Sequence, residues 1–266
     1  MKIGIFDSGI GGLTVLREIW REVPGESTVY FGDNSRAPYG TKSRSTVIKY
    51  SLENLRFLES KDVKMVVVAC NTASAYAYEK LAEESSVPVV EVVTPGAKAA
   101  CEITTTGKIG IIATKATIST GVYKKAIEQR AQSLGMGELS ITEKACPLFV
   151  SLAEEGWWDN DIARLVAEEY LAPLRDAGID TLVLACTHYP LLTKVITEVM
   201  GDHVKLVNTG IETAKTVASI LKERGMEASG KPFKEFYTSD EPAAFEAVAS
   251  NFLGEGLPSG TKHYAG

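Results

Sequence analysis

Three observations predict an α/β protein of two doubly wound domains. Short apolar runs rich in β-branched residues recur along the chain and alternate with segments of helical periodicity, the pattern of parallel strands joined by crossover helices. The runs are apolar at every position rather than every second one, as in Val66-Val67-Val68 and Leu182-Val183-Leu184, so both faces of each sheet should be covered. The alternation stops at Thr94-Pro95-Gly96 and then begins again, which is the strongest boundary signal in the 266 residues.

The first strand, 2–6, ends at Asp7-Ser8-Gly9-Ile10-Gly11-Gly12. This turn has the look of a dinucleotide-binding loop, but its spacing differs and Asp7 would oppose a phosphate. A helix N-terminus attracts the carboxylate of an amino acid equally well. Helix 13–22 follows, with Leu13, Leu16, Ile19 and Trp20 at core spacing. Strand 28–31 runs into Gly32-Asp33 and a loop, 36–42, in which Pro38 and Gly40 bracket Tyr39. That loop is either a turn with a packed tyrosine or a place where a hydroxyl and amides meet a small polar ligand. Helix 43–60, the strand that ends at Cys70, helix 73–84 and strand 87–93 complete the first series, with right-handed crossovers expected.

The second series opens with helix 97–104 and strand 108–113, followed by Thr114-Lys115-Ala116-Thr117. Helix 121–133 and strand 139–146 come next, then a helical stretch, 147–155, ended by Gly156-Trp157-Trp158, with Trp157 expected in the core. Asp159 is expected to N-cap a helix at 161–177, broken or kinked near Pro173. Strand 181–185 brings in Cys186. Helix 190–200, strand 204–207, helix 212–224, loop 225–232, strand 235–238 and helix 242–252 follow. The Gly/Ser/Pro-rich tail, 254–266, is expected to be loosely held. In open α/β sheets ligands bind beyond the carboxyl ends of the strands, so the crevice between the two domains is the expected site.

Two stretches stand out against this frame, Val66-Val67-Val68-Ala69-Cys70-Asn71-Thr72 and Leu182-Val183-Leu184-Ala185-Cys186-Thr187-His188. Each is a buried-strand pattern that stops at a cysteine followed by small polar residues, so both thiols are offered to a crevice. A matched pair of thiols suggests two acid/base groups. Cysteines that only fill core space, a redox pair, and a non-catalytic amino-acid or nucleotide binding protein are the competing readings.

Composition narrows the field. A net charge of −6 without any lysine/arginine cluster argues against a nucleic-acid partner. The apolar run 65–70 is far too short to span a membrane, and no secretory signal precedes Asp7, so a cytoplasmic protein with reduced thiols is expected. The four cysteines and three histidines show no metal-ligand spacing, so no metal is expected.

The motifs Asp7-Ser8-Gly9-Ile10-Gly11-Gly12, Gly32-Asp33 with Pro38-Tyr39-Gly40, Cys70-Asn71-Thr72, Cys146-Pro147-Leu148, Cys186-Thr187-His188-Tyr189-Pro190-Leu191-Leu192 and Tyr237-Thr238-Ser239-Asp240 occur in the order found in glutamate racemases. The chain resembles that family over nearly its whole length. The resemblance implies interconversion of L- and D-glutamate for the bacterial cell wall without cofactor or metal. Cys70 and Cys186 would be the proton-transfer groups, Cys70 for D-glutamate and Cys186 for L-glutamate. Asp7, Ser8, Pro38, Tyr39, Gly40, Asn71, Thr72, Thr187 and His188 would line the substrate pocket, joined by Thr114 and Thr117 near the substrate carboxylate. Asp33 and Glu154 match acidic residues near the family's site. The family fold implies a first domain of 1–94 with 207–266 around an inserted domain of 95–206, and the family is often dimeric, so a homodimer is expected. Aspartate racemase is the nearest alternative. Two departures, Asn208-Thr209 for Asp-Ser and Thr94 for Glu, each remove a negative charge near the expected hinge.

The chemistry fits residues of these types. Racemisation requires a base on one face of Cα and an acid on the other. An ordinary thiol, with a pKa of about 8.5, supplies little thiolate at neutral pH. His188 beside Cys186 and Asp7 beside Cys70 are the expected helpers.

Overall fold

The computed structural model describes residues 1–228 and 230–264. The chain opens with β1 (Lys2–Asp7), α1 (Leu13–Glu22), β2 (Thr28–Gly32), α2 (Arg44–Glu59), β3 (Val63–Val68), α3 (Asn71–Glu84) and β4 (Val89–Glu91). It continues with α4 (Val93–Ile103), β5 (Lys108–Ala113), α5 (Lys115–Thr120), α6 (Val122–Ser133), β6 (Ser140–Ala145), α7 (Leu148–Glu154), α8 (Asp161–Asp176), β7 (Thr181–Ala185), α9 (Thr193–Met200) and β8 (Lys205–Asn208). It closes with α10 (Thr209–Glu223), β9 (Lys234–Thr238), α11 (Pro242–Leu253) and β10 (Thr261–His263). Two compact units result, one of Met1–Val92 with the residues from Thr213 onward, the other of Val93–Glu212.

Each unit holds one parallel sheet, ordered β10-β9-β2-β1-β3-β4 in the first and β6-β5-β7-β8 in the second. The order β2-β1-β3-β4 is repeated as β6-β5-β7-β8. In both, the chain leaves its first strand to one side and then crosses to the other, which opens a switch point at the strand C-termini, between β1 and β3 and again between β5 and β7. Cys70 follows β3 and Cys186 follows β7, so the two cysteines hold the same topological position in their own units.

The uniformly apolar strands are explained by burial on both faces. In β5, Ile109, Ile111 and Ala113 pack with Tyr123 and Ile127, while Ile112 packs with Phe149, Leu171 and Leu174. In β7, Val183 and Ala185 join the first group, and Leu182 and Leu184 the second. Every such aliphatic side chain withdrawn from water stabilises the fold by about 1.5–3 kcal/mol. Gly110 fits because a Cβ there would stand 2.5 Å from Ile179 Cδ1 and 2.7 Å from Leu174 Cδ2.

Several local expectations are corrected. Thr94-Pro95-Gly96 lies inside the first turn of α4, where a proline's missing amide has no intrahelical acceptor to lose. The strand expected at 87–93 shrinks to β4 accordingly. Residues 115–120, to which the sequence assigns no element, form α5, capped by Thr114. Asn160, not Asp159, caps α8, its Oδ1 accepting from the Ala163 amide at 2.9 Å. That helix runs unbroken through Pro173, which sits in its last turn. Trp157 is 43% exposed rather than in the core, and its neighbour Trp158 donates Nε1–H to the Ala153 carbonyl at 2.9 Å. The tail is held. β10 pairs with β9, and the Tyr264 ring lies against Phe57 and Phe31 at centroid distances of 4.1 and 5.7 Å. Ser229 of the expected loop, and Ala265 and Gly266 of the expected tail, lie outside the described residues.

The N-terminal end of β7 is anchored by Asp180. Its carboxylate accepts from the Thr104 hydroxyl at 2.7 Å, the Thr105 and Thr106 amides at 2.8 and 2.6 Å, and the Thr105, Thr106 and Thr181 hydroxyls at 3.0, 2.8 and 2.9 Å. Burial alone would raise its pKa, but these donors outweigh it and hold the group well below the usual carboxylate range. Because the folded-state value is depressed, the stabilisation is complete above the unfolded value of about 4 and is lost as pH falls below it. Asp180→Asn should therefore lower unfolding free energy by about 1–3 kcal/mol at pH 7, and the gap in urea midpoints between variant and wild type should narrow below pH ~4.

Candidate functional site

In the first unit, the switch point brings together Asp7 at the end of β1 and Cys70 just past β3. Ala69 N–H donates to the Phe6 carbonyl at 2.9 Å, so the chain stays paired with β1 up to the residue before the cysteine. Cys70 then caps α3, its sulfur accepting from the Ala73 amide at 3.4 Å. The Ser8 side chain and backbone lie near this sulfur and favour its charged form. Burial, and next the charge of Asp7, push the Cys70 thiol up to about 12, while Ser8 and the Ala73 amide pull the other way. Without a ligand Cys70 is therefore a thiol at neutral pH, already surrounded by groups that can receive the negative charge of its thiolate. Asn71 and Thr72 open α3 and are buried, and Asp7 Oδ2 accepts the Gly9 amide at 3.0 Å.

In the second unit, Cys186, Thr187 and His188 follow β7 and are all buried. His188 Nδ1 lies 3.8 Å from the Cys186 sulfur and 3.4 Å from the Thr187 hydroxyl, while Nε2 meets Glu154 Oε1 at 2.9 Å. Burial would lower the imidazole pKa, but the bonds to Cys186 and Glu154 more than offset it and raise His188 to about 10. An imidazolium therefore stands beside the sulfur at neutral pH, with its far nitrogen held by a half-exposed carboxylate. Across the same switch point Thr114 caps α5, accepting from the Thr117 amide at 3.4 Å, and the two threonine hydroxyls are 3.1 Å apart. Tyr189 is tied down by its hydroxyl on the Cys146 carbonyl at 2.9 Å and by the Phe149 ring at 5.4 Å.

Relatives decide the family. The profile of the Asp/Glu/Hydantoin racemase family matches residues 3–217. A glutamate racemase from Geobacter metallireducens is 52% identical over 95% of this chain and 92% of its own length. The chain belongs to the glutamate racemase family. Among solved structures, a glutamate racemase isoform from Bacillus anthracis is 38% identical with a TM-score of 0.93, covering 99% of this chain and 97% of the other. The enzyme from Francisella tularensis, solved in complex with D-glutamate, is 36% identical with a TM-score of 0.90 over 99% of this chain and 97% of its own.

In this member of the family, Asp33 is the hub of the Tyr39 loop. Its fully buried carboxylate accepts from Arg36 Nε at 2.9 and 2.8 Å, from the Ser239 hydroxyl at 2.8 Å and from the Tyr39 hydroxyl. Asn54 Nδ2 donates to that tyrosine oxygen at 3.1 Å. The Tyr39 hydroxyl is thus committed inside the unit, which leaves the amides of the turn that follows Pro38, at Tyr39 and Gly40, as its polar offering. Arg36, Asn54 and Ser239 were not among the expected site residues; Arg36 carried a signal, three residues after Asp33, and so did Ser239, inside the Tyr237-Thr238-Ser239-Asp240 motif. Asn208 keeps the acceptor that aspartate would supply, receiving the Gly210 amide at 2.9 Å, and the Thr209 hydroxyl donates to the Leu184 carbonyl at 3.3 Å. Cys101 and Cys146 are buried in the cores, and all four cysteines are free thiols. Among the described residues no group of three His, Cys, Asp or Glu side chains could hold a metal ion, and no helix is long and apolar enough to cross a membrane.

Proposed function

We propose that the protein racemises glutamate with two thiols, Cys70 and Cys186, acting on opposite faces of Cα, and so supplies D-glutamate for peptidoglycan in the cytoplasm. The reading rests on family membership together with one observation. Each unit carries one cysteine at the same strand-end position, and each sulfur has its own donors. The proposed domains are 1–94 with 207–266 and 95–206, a few residues away at each crossing from the compact units Met1–Val92 with Thr213 onward and Val93–Glu212. A homodimer is the proposed assembly.

In the D-to-L direction, the Cys70 thiolate takes the α-proton and the C–H electron pair stays on the substrate as a carbanion. The Cys186 thiol then gives its proton to the other face. The sulfurs finish with exchanged protonation states, and proton exchange with solvent resets them. Asp7 holds the substrate ammonium. That cation neutralises the charge that helps to push up the Cys70 thiol, so substrate binding itself eases thiolate formation. Ser8, Asn71, Thr72 and Thr187 hold polar groups of the substrate, as do Thr114, Thr117 and the amides at Tyr39 and Gly40, in place of water around the developing charge. His188 serves Cys186, Glu154 orients His188, and Asp33 fixes the Tyr39 loop.

Proton NMR of L-glutamate with the purified protein in deuterated water, followed in parallel by circular dichroism, tests the assignment without added cofactor. The α-proton signal and the optical activity should both decay. Exchange of aspartate in place of glutamate would move the enzyme to that substrate, and no exchange of either would end the racemase reading.

A further inference from the structure

Tyr30 lies on β2, outside every motif considered so far, and is completely buried. Its hydroxyl donates to the Gly9 carbonyl at 2.8 Å and lies close to Gly12. One side-chain oxygen therefore ties the start of the 9–12 turn and packs against its end. The fit is close on every side. A Cβ on Gly12 would stand 2.5 Å from Asp7 Cβ, 2.8 Å from the Tyr30 hydroxyl and 3.1 Å from Ala69 Cβ, and one on Gly32 would stand 2.8 Å from the Gly9 carbonyl. The same turn carries the Gly9 amide to Asp7 Oδ2 and, one residue earlier, sets Ser8 near the Cys70 sulfur, where it favours the charged form.

We propose that Tyr30 is a positioning residue for proton transfer at Cys70: its hydroxyl holds the glycine-rich turn closed, so that Ser8 and Asp7 keep their places beside the sulfur. The proposal rests on Cys70 being one of the two bases. Tyr30 is not itself an acid in the reaction. Burial, then the charges of Asp7 and Cys70, raise its pKa well above the ordinary tyrosine value, and its proton is already committed to Gly9.

Tyr30→Phe removes the hydroxyl and keeps the ring against Phe245, whose centroid is 6.1 Å away. The equilibrium constant of a racemisation is one, so kcat/KM must fall equally in both directions; the expected loss is about 10- to 100-fold. The diagnostic readout is the primary isotope effect. When transfer at Cys70 becomes the slower step, the effect rises for α-deuterated D-glutamate and falls for the α-deuterated L enantiomer. Phe245→Leu, which disturbs the same packing without touching the hydroxyl, should leave the balance of isotope effects unchanged. Gly12→Ala pushes the turn off the hydroxyl from the other side and should reproduce the imbalance, which keeps the idea testable if Tyr30→Phe fails to fold. Wild-type isotope effects in Tyr30→Phe or Gly12→Ala, or the same imbalance in Phe245→Leu, would overturn the proposal. Loss of the asymmetric response together with full turnover in Cys70→Ala would instead overturn the assignment of Cys70 on which it stands.

Discussion

Alanine at either Cys70 or Cys186 should slow racemisation of glutamate by roughly 10²- to 10⁴-fold, the usual worth of one positioned acid or base, while leaving the fold intact. Both side chains are small and at the ends of strands whose packing is carried by the residues before them, Val66 and Val68 in one unit and Leu182 and Leu184 in the other. The variants should differ in what they retain. With Cys70→Ala, the remaining thiol can still remove and return a proton on its own face, so deuterium should enter L-glutamate without loss of its configuration. With Cys186→Ala, the same one-sided exchange should appear in D-glutamate. Nuclear magnetic resonance measures the exchange, and circular dichroism measures the configuration. If either variant racemised at the wild-type rate, or if both exchanged the same enantiomer, the two thiols would not be opposed bases.

The strand ends were legible in the sequence because fully buried parallel strands write an uninterrupted apolar run, and a polar residue at its end is conspicuous. The contacts of Cys70 with Ser8 and of Cys186 with His188 follow from that, since the strands concerned are neighbours or the residues are adjacent in the chain. Less legible were features that depend on side-chain direction. Tyr39 reads equally as a packed turn residue or as an offered hydroxyl, and only the fold decides, turning it onto Asp33 and Asn54, the latter from α2. Asn160 caps α8 although Asp159 is an equally good capping type, and only backbone geometry selects between adjacent residues. The tail from Gly254 reads as loose because glycine, serine and proline punctuate it, but three residues, Thr261–His263, suffice to add an edge strand once Tyr264 finds an aromatic face. Tyr30 gave no signal at all. On the page it is one more apolar residue in a buried strand, and its hydroxyl acquires a partner only when the Gly9 turn is folded over it.

The pH dependence of the enzyme should reveal the ion pair behind Cys186. His188 is raised to about 10, so the imidazolium is present through the neutral range and is lost as pH climbs through that value. Its contribution to stability carries the same sign, complete below the unfolded histidine value of about 6.5 and lost as pH rises through about 10. Activity that depends on the cation should therefore show an alkaline limb near pH 10 in kcat/KM. Glu154→Gln removes one of the partners that hold the proton on His188, alongside Cys186 and the Thr187 hydroxyl. The limb should move toward neutral pH, with a loss of roughly tenfold at pH 8 and little change in KM. His188→Asn takes the cation away altogether and should cost roughly 10²- to 10³-fold at every pH, abolishing the limb. The comparison separates charge from packing. Glu154 is half exposed at its carboxylate and its substitution removes no buried volume, so a shifted limb in Glu154→Gln can only come from the proton on His188. An unchanged pH profile in that variant would mean that the imidazolium is held without Glu154, and that the carboxylate serves the active site in some other way.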